Sequence, residues 1–189
     1  IGTTYYVRVY VTANPTGNPA NKWNFDICVQ NPIANDDCAG AVTLVSNSSC
    51  NNTSGTLIGA TASSGIPTGC ASAGTHYDVW YKFVAVMSIT TINFTKNSPS
   101  NISNPELQLF SGTCGSLTSV ACGTTSISIS SLTVGATYYV RVSQIGGSSL
   151  TTRGGFDICV RHSSPAPANV DYSKSYVIIT KGPGGVTVT

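Results

Sequence analysis

The chain has 189 residues, of which only 8% are charged, and its formal net charge is +2. Ordinary soluble domains carry roughly 25% charged residues, and no Lys/Arg cluster is present, so nucleic acid and anionic membranes find no electrostatic footprint here. A hydrophobic content of 41%, set in short Val/Ile/Tyr runs, excludes a disordered chain, and no run of about 20 apolar residues offers a membrane span.

The first element, TTYYVRVY at Thr3–Tyr10, returns as ATYYVRVS at Ala136–Ser143, and FDICV at Phe25–Val29 returns at Phe156–Val160. Gly2 aligns with Gly135 and Cys28 with Cys159. The second copy is two residues shorter, in the connection between its strands, where length changes are tolerated. A repeat of about 130 residues is the size of a domain, not of a solenoid unit. Three parts are therefore expected: residues 1–31 as the C-terminal hairpin of a preceding repeat, 34–162 as a complete β-sandwich repeat, and 168–189 as the start of a following, different β module. The chain opens on Ile in mid-pattern and reads as a fragment of a longer exported polypeptide. A two-stranded hairpin is not stable alone in water, so residues 1–31 call for a neighbouring module of the same or an identical chain.

The boundary, NPIANDDCAGA, concentrates side-chain oxygens at Asn35, Asp36 and Asp37 in a chain with only seven acids. Together with Asp78, further along, these oxygens would suit a calcium ion. The plainer alternative is that Asn35 and Asp36 shape a turn and Asp78 caps its own strand entrance. No other cofactor is called for.

The next elements read as strands: Gly55–Thr61, Asp78–Val86, Ile89–Thr95, Glu106–Gly112 and Ser126–Leu132. In DVWYKFVAV the alternation puts Val79, Tyr81, Phe83 and Ala85 on one face and Trp80, Lys82, Val84 and Val86 on the other. No segment sustains a helical period. Many short strands between Gly, Pro, Asn and Ser predict an all-β fold: disulfide-stapled antiparallel β-sandwich modules, jelly-roll-like, in tandem. Near the end, SYVIIT and GVTVT flank a Gly-Pro-Gly-Gly turn at Gly182–Gly185 and read as two more strands.

Charges are scarce, yet each copy of the paired strands has one Arg and one Asp: Arg8 with Asp26, and Arg141 with Asp157. As consecutive strands they are expected to be antiparallel neighbours, with Arg141 facing Asp157 as a structural cross-strand pair. The functional alternative is a ligand-binding arginine.

Seven cysteines without a CxxC point to disulfides in an oxidising compartment. Spacing suggests Cys114–Cys122 around a small loop, Cys38–Cys159 joining the two ends of the module, and Cys50–Cys70 as the remainder. Cys28 corresponds to Cys159, so its partner is expected in the missing part of its repeat; a covalent link to another chain is the alternative.

No catalytic residues are assigned. Neither a G-x-S-x-G elbow nor an H-E-x-x-H helix occurs, and Glu106 is the only glutamate, so a glutamate pair for glycoside hydrolysis is absent. His76 lies two residues before Asp78, with Ser72 near it in sequence; His162 lies in the linker. Trp80, Tyr81 and the Tyr5-Tyr6 and Tyr138-Tyr139 pairs read as core, with a sugar-stacking platform as the alternative.

The ordered set NDDC, GTLIGAT, DVWYKF, LQLFSGTCGSL, GATYYVRV and GGFDICV resembles modules carried in tandem by large secreted and surface proteins of Bacteroidetes, which are similar to the bacterial pre-peptidase C-terminal domain. The resemblance spans about Ala34 to Arg161 and the partial copy at the start. It implies export by the type IX route to the extracellular space or cell surface, and a non-catalytic role in an adhesin or filament. The second role it implies is a glycan- or matrix-protein-binding module appended to a secreted hydrolase. Calcium binding at Asn35, Asp36, Asp37 and Asp78 is likewise an implication of the family.

Overall fold

The computed structural model describes residues 3–10, 27, 33–98, 100–146, 153–163, 179–182 and 185–188. The chain separates into two compact units, Ile1–Asn31 and Pro32–Thr189. The start of the expected third part, residues 168–178, lies outside the described residues, as do Asp26 and Cys28.

Two five-stranded sheets make a sandwich in the larger unit. The first is ordered β1 (Val42–Thr43), β4 (His76–Val84), β9 (Thr137–Ile145), β6 (Pro105–Thr113), β7 (Ser116–Gly123). The second is ordered β2 (Ser46–Asn47), β10 (Gly155–His162), β5 (Thr90–Lys96), β8 (Ser126–Ile129), with β3 (Thr53–Thr56) also on β10. The sheets are mixed, because β1 runs parallel to β4 and β2 parallel to β10. The segment 42–47 thus leaves one sheet and enters the other within six residues. β11 (Ile179–Gly182) and β12 (Gly185–Val188) form a separate antiparallel hairpin.

Strand alternation builds the core. Val79, Tyr81 and Phe83 of β4, Leu107 and Leu109 of β6, and Tyr138, Val140 and Val142 of β9 face inward. They meet Ile92 and Phe94 of β5 and Phe156, Ile158 and Val160 of β10. Phe156 sits at its centre, edge-on to Tyr81 with ring centroids 6.1 Å apart and tilted against Phe94 at 5.1 Å. The first sheet's outer face has a second, smaller cluster of Ala41, Trp80 and Phe110. Both faces of β4 are therefore largely covered, which is why its burial does not alternate.

Three sequence expectations are corrected. First, β9 and β10 are not neighbours: β9 lies between β4 and β6, while β10 lies in the opposite sheet beside β5. Second, the stretch after Cys114 is no loop; it is the edge strand β7, paired with β6 and bulged at Val120. Third, the disulfides are Cys38–Cys114, Cys50–Cys159 and Cys70–Cys122. The six strand steps from Ser116 to Cys122 hold Cys114 and Cys122 about 20 Å apart, well beyond the roughly 7 Å a disulfide spans between Cα atoms. The two ends of the module do meet, through β2 on β10, but the cysteine next to that contact is Cys50. Cys38 precedes β1 and lies instead near the β6–β7 turn. Among the predicted strands, Gly55–Thr61 is also shortened: pairing stops at Thr56, and the buried Leu57 bonds through its N–H to the Gly154 carbonyl.

Candidate functional site

The outer face of the first sheet carries buried polar groups in two rows. Register places Trp80 of β4 beside Arg141 of β9 and Arg141 beside Gln108 of β6; one step along, Asp78, Ser143 and Glu106 line up in the same way. All of these side chains are buried. The loop between β3 and β4 lies over them.

That loop is held by polar contacts and one disulfide. Thr61 accepts the Asp78 N–H on its carbonyl, Ser63 donates to Asp78 Oδ1 at 2.6 Å, and Trp80 Nε1 donates to Ser63 at 3.0 Å. Gln108 Nε2 donates to the Pro67 and Thr68 carbonyls, and the Ser72 N–H donates to the Glu106 carboxylate. Cys70–Cys122 pins it to the end of β7. Between loop and sheet lies a pocket of about 450 Å³, lined by Ser63, Ile66, Thr68, Ser72, His76 and Arg141 among others. A shallower recess of about 680 Å³ lies on the far side of Ser72 and Glu106 and includes Lys96 and Ile145.

Arg141 is the centre of this face. Its Nη2 donates to Gln108 Oε1 at 2.7 Å, its Nη1 reaches Asp78 Oδ2 at a long 3.5 Å, and its Nε has no partner. Burial pushes the Asp78 carboxyl up from 3.8 to about 6, against the opposing pull of Ser63 and Arg141. Burial likewise lowers the Arg141 pKa, with Asp78 opposing. In both partners desolvation outweighs pairing, as expected for a buried ion pair of imperfect geometry. Arg141 does not meet Asp157. That carboxylate sits in the other sheet, where it accepts from Ser54 Oγ at 2.7 Å and Asn97 Nδ2 at 3.4 Å. Of the other expected pair, Arg8 lies over the ring of Tyr10, 5.1 Å from its centroid.

The boundary acids are structural ties. Asn35 and Trp80 exchange bonds, Asn35 Nδ2 to the Trp80 carbonyl and the Trp80 N–H to the Asn35 carbonyl, which lays residues 33–36 along the open edge of β4. Asp36 accepts from both the N–H and the hydroxyl of Thr61. Asp37 is exposed, and its carbonyl accepts the Gly40 N–H. With Asp36 on Thr61, the Asn35 amide on Trp80 and Asp78 beside a guanidinium, these four do not fit a calcium ion. Among the described residues no group of three or more His, Cys, Asp or Glu is placed to hold a metal.

His76, Asp78 and Ser72 make no relay. His76 Nε2 donates to the Ser72 carbonyl at 2.9 Å, leaving Nδ1 to the Ser143 hydroxyl at 3.0 Å. Trp80, Tyr81 and Tyr138 are buried and form no aromatic platform on the sandwich, whereas Tyr5 and Tyr6, in the smaller unit, are exposed. Sequence reasoning missed Gln108, Ser63 and Arg153. Arg153 stacks 3.7 Å from the centroid of the Tyr77 ring and donates to the Ala60 carbonyl. Gln108, at least, was visible as a polar residue between two leucines of an alternating strand.

A two-sheet sandwich stapled by three disulfides is the build of a domain that folds in an oxidising compartment. Residues 34–158 match the family described as galactose binding domain-like, T9SS-associated, and the chain belongs to that family of non-catalytic modules, which is associated with type IX secretion. Among solved structures it is similar to the pre-peptidase C-terminal domain of a Bacillus anthracis collagenase (16% identity, TM-score 0.40, 64% of this chain and 93% of that one). It is also similar to Aeromonas hydrophila PliG, a periplasmic inhibitor of g-type lysozyme (15% identity, TM-score 0.38, 64% of this chain and 95% of that one). No curated protein matches the chain. No helix among the described residues is long and apolar enough to cross a membrane.

Proposed function

We propose that the chain is a non-catalytic structural unit of a secreted cell-surface adhesin or extracellular filament, working beside neighbouring modules of the same or identical chains. One observation carries this reading. The sandwich spends its large aromatic side chains on its own packing, with Trp80, Tyr81, Phe83, Phe110 and Phe156 all buried, and its polar face is tied up in internal bonds. What it presents outward is mainly hydroxyl and amide surface, held by three disulfides. That suits an exposed, protease-resistant spacer better than a recognition surface. Electron microscopy of the native protein tests it. Fibres or beaded strings are expected, with an axial period no shorter than the about 30 Å of a nine-residue strand. Compact particles in which the module is bound to a hydrolase would overturn it.

The pocket beside Arg141 supports a second reading, a glycan- or matrix-protein-binding module. Saturable binding on a glycan or matrix-protein array, lost on filling the pocket by Ser72→Trp, would establish it. An array without such binding would remove it.

A further inference from the structure

The five residues Tyr-Tyr-Val-Arg-Val occur twice, at 5–9 and at 138–142, and the two copies sit in opposite environments. In β9 they are the middle strand of a sheet. Tyr138, Val140 and Val142 are in the core, and Arg141 passes to the other face, where Gln108 and Asp78 receive it. At 5–9 the same side chains face solvent: Tyr5 is 84% exposed, Tyr6 94%, Val7 67% and Val9 53%. Tyr10, which follows them, is 65% exposed. Among the described residues, Arg8 has the Tyr10 ring beside it where its counterpart has a carboxylate and an amide.

We propose that residues 3–10 are a donor strand that seats in a second sandwich of this family, between strands equivalent to β4 and β6, as β9 does here. The chemistry of the acceptor follows from β9. One face must offer an apolar row to Tyr5, Val7 and Val9, and the other a carboxylate at the position of Asp78 and an amide at that of Gln108 to take Arg8. Sites on the described module do not meet these terms. Its own slot is filled by β9, and its edge strand β7 carries no acidic residue. The partner is therefore a like-folded module whose central strand is supplied from outside. This goes beyond the structural role proposed above and does not depend on it, since an adhesin, a filament or a binding module would each accept a strand in the same way.

The test gives the full chain such an acceptor, by fusing a second copy of residues 34–134 directly ahead of Gly2. Trypsin cleavage after Arg8 is expected to slow by at least ~100-fold relative to the unfused chain, because a central strand exchanges only through global opening. Cys28, which aligns with Cys159, is expected to bond to the fused copy of Cys50, as Cys159 does to Cys50 here. Putting Val7→Asp and Val9→Asp into the fusion should restore fast cleavage while residues 34–162 stay resistant. Cleavage at the unfused rate with a reactive Cys28 thiol would overturn the proposal. So would protection that survives the two aspartates, or rapid digestion of the fused copy at its Lys82 and Lys96 equivalents while the native module stays intact.

Discussion

Asp78 shows how one residue sets a pH response. Its carboxyl is raised from 3.8 to about 6 chiefly by burial, so between those values the folded state holds a proton that the unfolded state has lost. Stability falls with rising pH wherever the folded state binds more protons, and integrated over this window the penalty is on the order of 3 kcal/mol. Removing the ionisable group removes the slope. Chemical denaturation of the wild type and of Asp78→Asn at pH 4 and pH 7 should show the variant gaining on the wild type as pH rises, whatever constant cost it carries from leaving Arg141 without its carboxylate. Equal gaps at the two pH values would mean that folding does not raise the Asp78 carboxyl above its ordinary value. The boundary acids give a second outcome at this scale. Since Asp36 is committed to Thr61 and Asp78 lies beside Arg141, millimolar calcium is expected to leave the thermal midpoint unchanged; a rise of several degrees would show that the acids rearrange around the ion.

The covering loop between β3 and β4 is anchored along its length by side-chain bonds from β4 and β6, with Cys70–Cys122 as its covalent tie to β7. Replacing both cysteines by alanine is expected to raise proteolysis within residues 62–75 by tenfold or more, while β-sheet circular dichroism is retained. Concerted loss of the sheet signal would show instead that the tie supports the sandwich itself. Strands such as β4, β5 and β6 could be read from the chain because their short apolar and aromatic runs are bounded by Gly, Pro, Asn or Ser, and in β5 the core also imposes its period-two pattern. The partners of those strands could not. Arg141 and Asp157 are joined in sequence by one short connection, and sequential strands are usually neighbours, but this connection crosses between sheets. β7 lacked a readable pattern because an edge strand with one covered face can be built from Ser, Thr, Leu and Ala. Taking it for a loop then misdirected the cysteine pairing. Arg141 stood out as a rare charge, but its partners Asp78 and Gln108 come from strands 63 and 33 residues away, a distance that no local spacing rule reaches.

At the scale of the module, the three disulfides close overlapping loops with sequence separations of 76, 109 and 52 residues. Cys70–Cys122 lies within the span of Cys50–Cys159, and Cys38–Cys114 crosses both, so every strand from β3 to β6 falls inside at least two closed loops. Each bond alone would be worth about 2–5 kcal/mol through the unfolded chain. Because they overlap, forming one shortens the effective loop closed by the next, and their joint contribution is less than the sum. Even so it is comparable with the whole stability of a typical domain, about 5–15 kcal/mol. The hydrophobic core alone is thus expected to leave the reduced protein marginal. Adding a thiol reductant at 37 °C should abolish the near-ultraviolet circular dichroism of the buried aromatics, with Trp80 and the Tyr81–Phe156 pair exposed together in one transition. Retention of that signal after full reduction, confirmed by mass spectrometry of the alkylated thiols, would show that packing across the two sheets suffices and that the disulfides serve resistance to proteolysis rather than folding.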